Sequence, residues 1–228
     1  MAKVLPSRRA PLSSERIVEA AVELIDGEGL DALSMRHLGA ALGVEAMSLY
    51  RHFPSKAVLL EAVVGRLLAE LLLPVPGSAP WQESFRALAR DYRQLLLRHP
   101  NAIPLLATLQ LSNPGALGAA GAVMALLRDA GFDARTAFHV LATADSYVIG
   151  FAYWEAGTAG IRGSEPPPLP PGADPYILEN WNEISGADCA AAFEFGLDTF
   201  VAGLERMRSY ASSDIKRSNS AGPERSRR

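Results

Sequence analysis

Tyr50, Arg51 and His52 occupy consecutive positions, with Lys56 within a turn of them. A hydroxyl, a guanidinium, an imidazole and an ammonium so close together can donate hydrogen bonds to phosphate oxygens. Nothing equips them, or any other part of the chain, for covalent chemistry. Neither G-x-S-x-G nor G-x-x-x-x-G-K occurs, and Asp145, Ser146 and His139 form no recognisable triad. Cys189 is the only cysteine, which excludes an internal disulfide, and His37, His52, His99 and His139 are scattered without ligand spacing. The sequence therefore leads us to expect no metal, no other cofactor and no enzyme. What remains is the noncovalent chemistry of gripping an anion.

The formal net charge of -3 looks wrong for that task until it is divided by segment. From Leu33 to Lys56 three cations, Arg36, Arg51 and Lys56, face the single carboxylate Glu45, and the leading tail carries Lys3, Arg8 and Arg9 ahead of Glu15. A phosphate backbone responds to local charge, not to the total.

The elements around the cluster are helices. Ser13 or Ser14 caps a first helix ending near Gly27 or Gly29, its inner face carrying Ile17, Ala21, Leu24 and Ile25. Ser34 caps a second helix bearing Leu38 and Leu42, and Gly43 supplies the left-handed residue that ends it. A third, from Glu45 to about His52, puts Leu49 and Phe53 on one side, so Ala46, Met47, Ser48, Tyr50, Arg51 and His52 are spread over the remaining faces. Pro54 stops it, and Ser55 caps a fourth helix expected to run to Pro74.

Beyond the break at residues 74–80, helices are expected over 81–99, 101–111, 115–131, 133–157 and 190–210. The proline-rich stretch 163–175 must be a loop. The longest apolar run, residues 116–127, is too short to span a membrane, and no apolar segment follows the N-terminal charges as a secretory signal requires, so a cytoplasmic protein is expected. With no strand pattern anywhere, the fold class is all-α: an N-terminal three-helix helix-turn-helix DNA-binding domain over 13–60, then a larger helical ligand-binding and dimerisation domain over 61–210. A flexible basic tail, 1–12, precedes them and a disordered one, 211–228, follows.

Residues 16–63, "RIVEAAVELIDGEGLDALSMRHLGAALGVEAMSLYRHFPSKAVLLEAV", resemble the TetR family of bacterial transcriptional repressors. The motif lies in the Gly-Val before the recognition helix, "LYRHF", and the lysine three residues after that phenylalanine. The C-terminal region resembles the tetracycline-repressor branch more weakly, through "AGF" (130–132) and "AFEFGLDTFVAGLE" (192–205). The resemblance implies that Ser34 and Arg36 lie near phosphates or a base edge. It also implies that Ala46, Met47 and Ser48 approach bases, that Tyr50 and His52 contact the DNA backbone, and that Lys56 binds phosphate at the start of the fourth helix. Arg51 completes the expected DNA-binding set, although a purely solvated side chain is an open reading there, as a core ring is for Tyr50. Where the branch leads its recognition helix with Gln-Pro, this chain has Ala46-Met47, so its operator cannot be copied across.

Aligned to that branch, Leu88, Leu106, Val123, Ser146 and Trp154 stand where the tetracycline repressor uses amide, imidazole and carboxylate groups. The hard oxygen ligands that magnesium needs are lost. The expectation is an apolar cavity with Tyr92, Phe138 and Tyr147 also on its wall, suited to a hydrophobic or aromatic effector; core packing is the alternative at each position. Reading two half-sites one DNA turn apart requires a two-fold homodimer. Gly150, Phe195, Gly196, Leu197, Phe200, Gly203 and Leu204 are its candidate interface, their alternative being the chain's own core. The expected function is thus a ligand-responsive regulator, in sense a repressor, released from a palindromic double-stranded operator by a small molecule. The alternative is a helical carrier or adaptor with a vestigial DNA-binding head.

Overall fold

The computed structural model describes residues 11–108, 114–158, 169, 171–185 and 188–220. Among the described residues every regular element is helical. Four helices come first: α1 (Ser14–Glu28), α2 (Met35–Leu42), α3 (Ala46–Tyr50) and α4 (Lys56–Leu68). Then follow α5 (Trp81–Arg98), α6 (Ile103–Ala107), α7 (Pro114–Asp129), α8 (Ala134–Thr158), α9 (Pro175–Ser185) and α10 (Cys189–Ser220).

Serine hydroxyls start three of the first four. Ser13, Ser34 and Ser55 lie in extended backbone and accept from the amides of Arg16, His37 and Val58, satisfying donors that a helix start leaves open. The inner faces of these helices meet in one core: Ile17, Ala21 and Ile25 of α1, Leu38 of α2, Leu49 of α3, Leu59 and Val63 of α4, all essentially without solvent contact. Burying one such leucine contributes about 1.5–3 kcal/mol.

In the body, α5 packs against α8, and α7 lies between α4 and α8. Helix α10 closes the group: Phe193 stacks on Tyr147 of α8 at 5.4 Å, and Phe200 stacks on Phe85 of α5 at 5.9 Å. Arg93 of α5, 8% exposed, forms a two-pronged ion pair with Glu155 of α8 and lies over the Phe193 ring. On the surface Arg86 pairs with Asp198 and Arg90 with Glu194, tying α5 to α10.

Several helix ends differ from those expected. Helix α3 stops at Tyr50, because the amides of both His52 and Phe53 converge on the carbonyl of Leu49 ahead of Pro54. Helix α4 stops at Leu68 instead of running to Pro74. Its last amides turn back to carbonyls three residues earlier, and the amide of Leu72 donates to the Asp91 carboxylate of α5 at 2.7 Å. Helix α9 was not expected at all; Asp174 starts it by accepting from the Tyr176 amide, with Pro175 at the first helical position. The segment expected to be disordered from 211 continues α10 to Ser220, since no helix breaker occurs before Gly222 and Pro223. Residues 1–10 and 221–228 of the two expected tails, and most of the proline-rich loop, lie outside the described residues.

Candidate functional sites

The first site is the α2–α3 pair. Gly43 adopts φ 68°, ending α2, and the Val44 amide bonds back to the carbonyl of Gly39 at 2.9 Å. The chain then re-enters helix so tightly that a Cβ on Gly39 would stand 2.9 Å from the Val44 carbonyl oxygen and 3.3 Å from the Ala46 nitrogen. Only a glycine lets α3 seat this closely on α2. Sequence reasoning missed Gly39; its one signal was a glycine within a helix, four residues before the turn.

Leu49 and Phe53 are buried and fix the inner side of α3. On its outer side Met47 is 73% exposed, and Tyr50 and Arg51 are exposed as well, so Tyr50 is not a core ring. Ala46 and Ser48 are half-buried. His52 is half-buried too, its Nδ1 lying 3.3 Å from the Ser14 hydroxyl, which ties the end of the α3 turn to the start of α1. Ser34 and Arg36 at the start of α2 and Lys56 at the start of α4 are exposed. His37 is turned aside onto the Ala32 carbonyl and Glu28.

The second site is a cavity of about 350 Å³ enclosed by the end of α4 and by α5, α7 and α8. Of the eight residues expected on its wall, Leu88, Tyr92, Val123 and Phe138 are there. The other four are elsewhere. Leu106 is buried in the packing of α6 away from the cavity, and Ser146 donates to the Ala142 carbonyl on its own helix. Tyr147 donates its hydroxyl to the Phe193 carbonyl at 2.7 Å, and the half-exposed Trp154 stands edge-on to Phe151. For the residues of α8 the reason is helical phase: at about 100° per residue, Phe138, Leu141, Asp145 and Val148 share the cavity face of α8, whereas Tyr147 and Trp154 point roughly opposite.

Asp145, seven residues on from Phe138, was missed as a wall residue. Tyr92 of α5 stands on the same wall. Although Asp145 keeps an exposed flank toward solvent, desolvation of its carboxyl against the apolar wall pushes its pKa up, the nearby Tyr92 hydroxyl opposing that shift. Burial, with the charge of Asp145 beside it, pushes the Tyr92 phenol well above its ordinary value.

The candidate interface residues divide. Gly150, Phe195 and Gly203 face outward, Phe195 at 75% exposed. Leu197 and Leu204 are buried in the chain's own core, and Phe200 is half-buried against Phe85. Gly196 receives the Tyr147 ring where a Cβ would clash, an approach within the protomer.

Between the two sites runs a charged network. His99 at the end of α5 lies 2.8 Å from Asp26 of α1 and 3.5 Å from Glu70. Glu70 also takes Arg98 and Arg66, and Arg66 of α4 reaches Glu19 of α1. Among the described residues no group of three or more His, Cys, Asp or Glu side chains is placed to hold a metal ion, and no helix is long and apolar enough to cross a membrane.

Residues 17–63 match the family model "Bacterial regulatory proteins, tetR family", and residues 73–208 match "Tetracyclin repressor-like, C-terminal domain". An HTH-type transcriptional regulator of Saccharopolyspora erythraea is 35% identical over 212 residues, 87% of each chain. The class A tetracycline repressor protein from transposon 1721 of Escherichia coli is 35% identical over 206 residues, 86% of this chain and 92% of its own. Among solved structures, apo ActR from Streptomyces coelicolor superposes with a TM-score of 0.78 at 29% identity, covering 89% of this chain and 99% of that one. The same protein in complex with actinorhodin gives 0.74, covering 86% and 98%.

Proposed function

The chain belongs to the TetR family of bacterial transcriptional regulators, and we propose that it is a cytoplasmic repressor that binds a palindromic operator as a homodimer and is released by a hydrophobic, aromatic small molecule. One observation carries the release step. Helix α4 begins at Lys56, beside the reading helix, and ends at Leu68, which with Leu71 forms part of the cavity wall. A single rod about 18 Å long thus joins ligand space to phosphate contact. The Arg66–Glu19 and Glu70–His99–Asp26 links couple its motion to α1.

In the head, Met47, Ala46 and Ser48 read bases while Ser34, Arg36, Tyr50, Arg51 and Lys56 hold the duplex; His52 contributes by bracing α3 against α1. Two heads must sit roughly 34 Å apart to read successive major grooves. The outward Gly150, Phe195 and Gly203, together with the exposed Tyr153, give α8 and α10 an apolar face on which a second copy can pack. Within the cavity, Leu88, Tyr92, Val123 and Phe138 suit a planar apolar ligand, and a structural relative solved with the small molecule actinorhodin supports a ligand-responsive reading. A ligand acts only through its different affinity for the bound and released states, at about 1.4 kcal/mol per tenfold change in operator affinity.

Selection of duplexes from a random pool is the test. A repressor returns a palindrome, bound with an affinity that falls steeply as salt rises. A carrier with a vestigial head returns no consensus, and that outcome would sink the proposal. Release by planar apolar compounds must in turn disappear when Ala120 or Val123 is enlarged to fill the cavity.

A further inference from the structure

Among the described residues the cavity wall is apolar except at two points, the Tyr92 hydroxyl and the Asp145 carboxylate. A carboxylate offers about four lone-pair sites, of which the single Tyr92 hydroxyl on the same wall can fill at most one. No cationic side chain lies among the described residues of the wall. The arginines of neighbouring α5 are committed elsewhere: Arg86 to Asp198, Arg90 to Glu194, Arg93 to Glu155 and Arg98 to Glu70. Among the described wall residues none therefore balances the charge of Asp145, whose outer flank is open to solvent.

A neutral planar molecule filling the cavity would remove solvent from the inward side of that carboxylate and offer it no partner, which is costly. An anionic molecule would add repulsion. A cation on the same apolar frame would instead meet a carboxylate with the Tyr92 hydroxyl on the same wall, in surroundings where a charge-assisted hydrogen bond is strong, with the rings of Phe85 and Phe138 on the wall around it. We propose that the effector class is a lipophilic organic cation: a planar apolar body bearing a protonated amine that pairs with Asp145, while the Tyr92 hydroxyl completes the shell of the carboxylate. This rests on the reading of the cavity as the effector site.

The two readings are separated by a matched pair of fluorescent probes added to the full-length protein at pH 7.5: 9-aminoacridine, which is protonated there, and acridine, which is neutral and almost the same shape. The cation is expected to bind about tenfold or more tightly than acridine. Asp145→Asn, nearly isosteric and on an exposed flank, should remove that preference while leaving acridine affinity within about twofold. Tyr92→Phe should weaken the cation by a smaller factor. Equal binding of the two probes to the natural protein, or a preference that survives Asp145→Asn, overturns the cation assignment. So does failure of both probes to bind. Ala120→Trp, with Val123→Phe as a second filling variant, decides the underlying reading. If both probes bind and both are lost on filling, the cavity stands whichever probe was preferred; if filling changes neither, the cavity reading falls and the cation assignment with it.

Discussion

The head, α1 to α3, and the body behind it are built from helices alone, but they manage space in opposite ways. In the head, the backbone of α3 presses on α2 so closely at Gly39 that one added methyl has no room, and a five-residue helix is held by a single fully buried leucine. In the body, α8 is 25 residues long, and α5, α7 and α8 leave about 350 Å³ open between them. Close packing fixes the position of a reading element to within a fraction of an ångström, whereas an unfilled wall lets the same fold admit different guests. Tolerance to substitution should therefore differ sharply between the regions.

The largest expected loss is in the body. Phe193→Ala removes a fully buried ring that stacks on Tyr147 and supports Arg93, and should cost about 3–5 kcal/mol in denaturant unfolding. Folded molecules of that variant should still read the same operator sequence. Leu49→Ala should cost about 2–5 kcal/mol and abolish specific binding even well below its melting temperature, because α3 has no other full anchor. If Leu49→Ala left the operator consensus intact, the contrast between the regions would collapse. Gly39→Val should destabilise by about 1–3 kcal/mol through overpacking against backbone; the equivalent change at Gly150 or Gly203, where open space surrounds the missing Cβ, should alter operator binding only if it disturbs self-association, which sedimentation would detect.

A pH scan gives a milder comparison. Hydrogen bonding to Arg90 holds the Glu194 carboxyl below its ordinary value. A lowered folded-state pKa means that its stabilisation is full above the pKa of an unfolded glutamate and is lost as pH falls through the lower folded value. Melting of the natural protein should decline over that acid range more than melting of Glu194→Gln. The smallest thermodynamic effect is expected at the most exposed side chain of α3: Met47→Gln should shift stability by no more than about 0.5 kcal/mol, yet, on the proposed reading, change the sequence recovered from a random duplex pool.

The head was largely legible because its instructions are local. Ser13, Ser34 and Ser55 mark helix starts, Gly43 marks a stop, and Leu49 with Phe53 marks an inner face, all within windows of a few residues. Gly39 escaped because its constraint comes from a carbonyl five residues later in a different element. The body was legible only in outline. Three of the eight expected wall residues, Ser146, Tyr147 and Trp154, were displaced by a rotation about the α8 axis that depends on its packing against α5 and α10, not on α8 itself, and a fourth, Leu106, went into the packing of α6. Asp145 escaped because an acidic residue in an apolar run reads as surface until the opposing wall is known. Helix α9 had a readable signal in Asp174-Pro175, but the prolines before it drew the segment into a loop. Likewise, the solvated look of residues 211–220 concealed a helical continuation that apolar content does not report.

The early end of α4 has a mechanical meaning of its own. Asp91 on α5 holds the Leu72 amide that would otherwise have prolonged the rod by another turn. The end of α4 is thus clasped by a side chain from the neighbouring helix, much as a belt is shortened by the hole its buckle occupies. If α4 carries the proposed release, loosening that clasp would change the length of the moving rod without altering any residue proposed to meet DNA or ligand, so the response could be tuned separately from what is read and what is sensed.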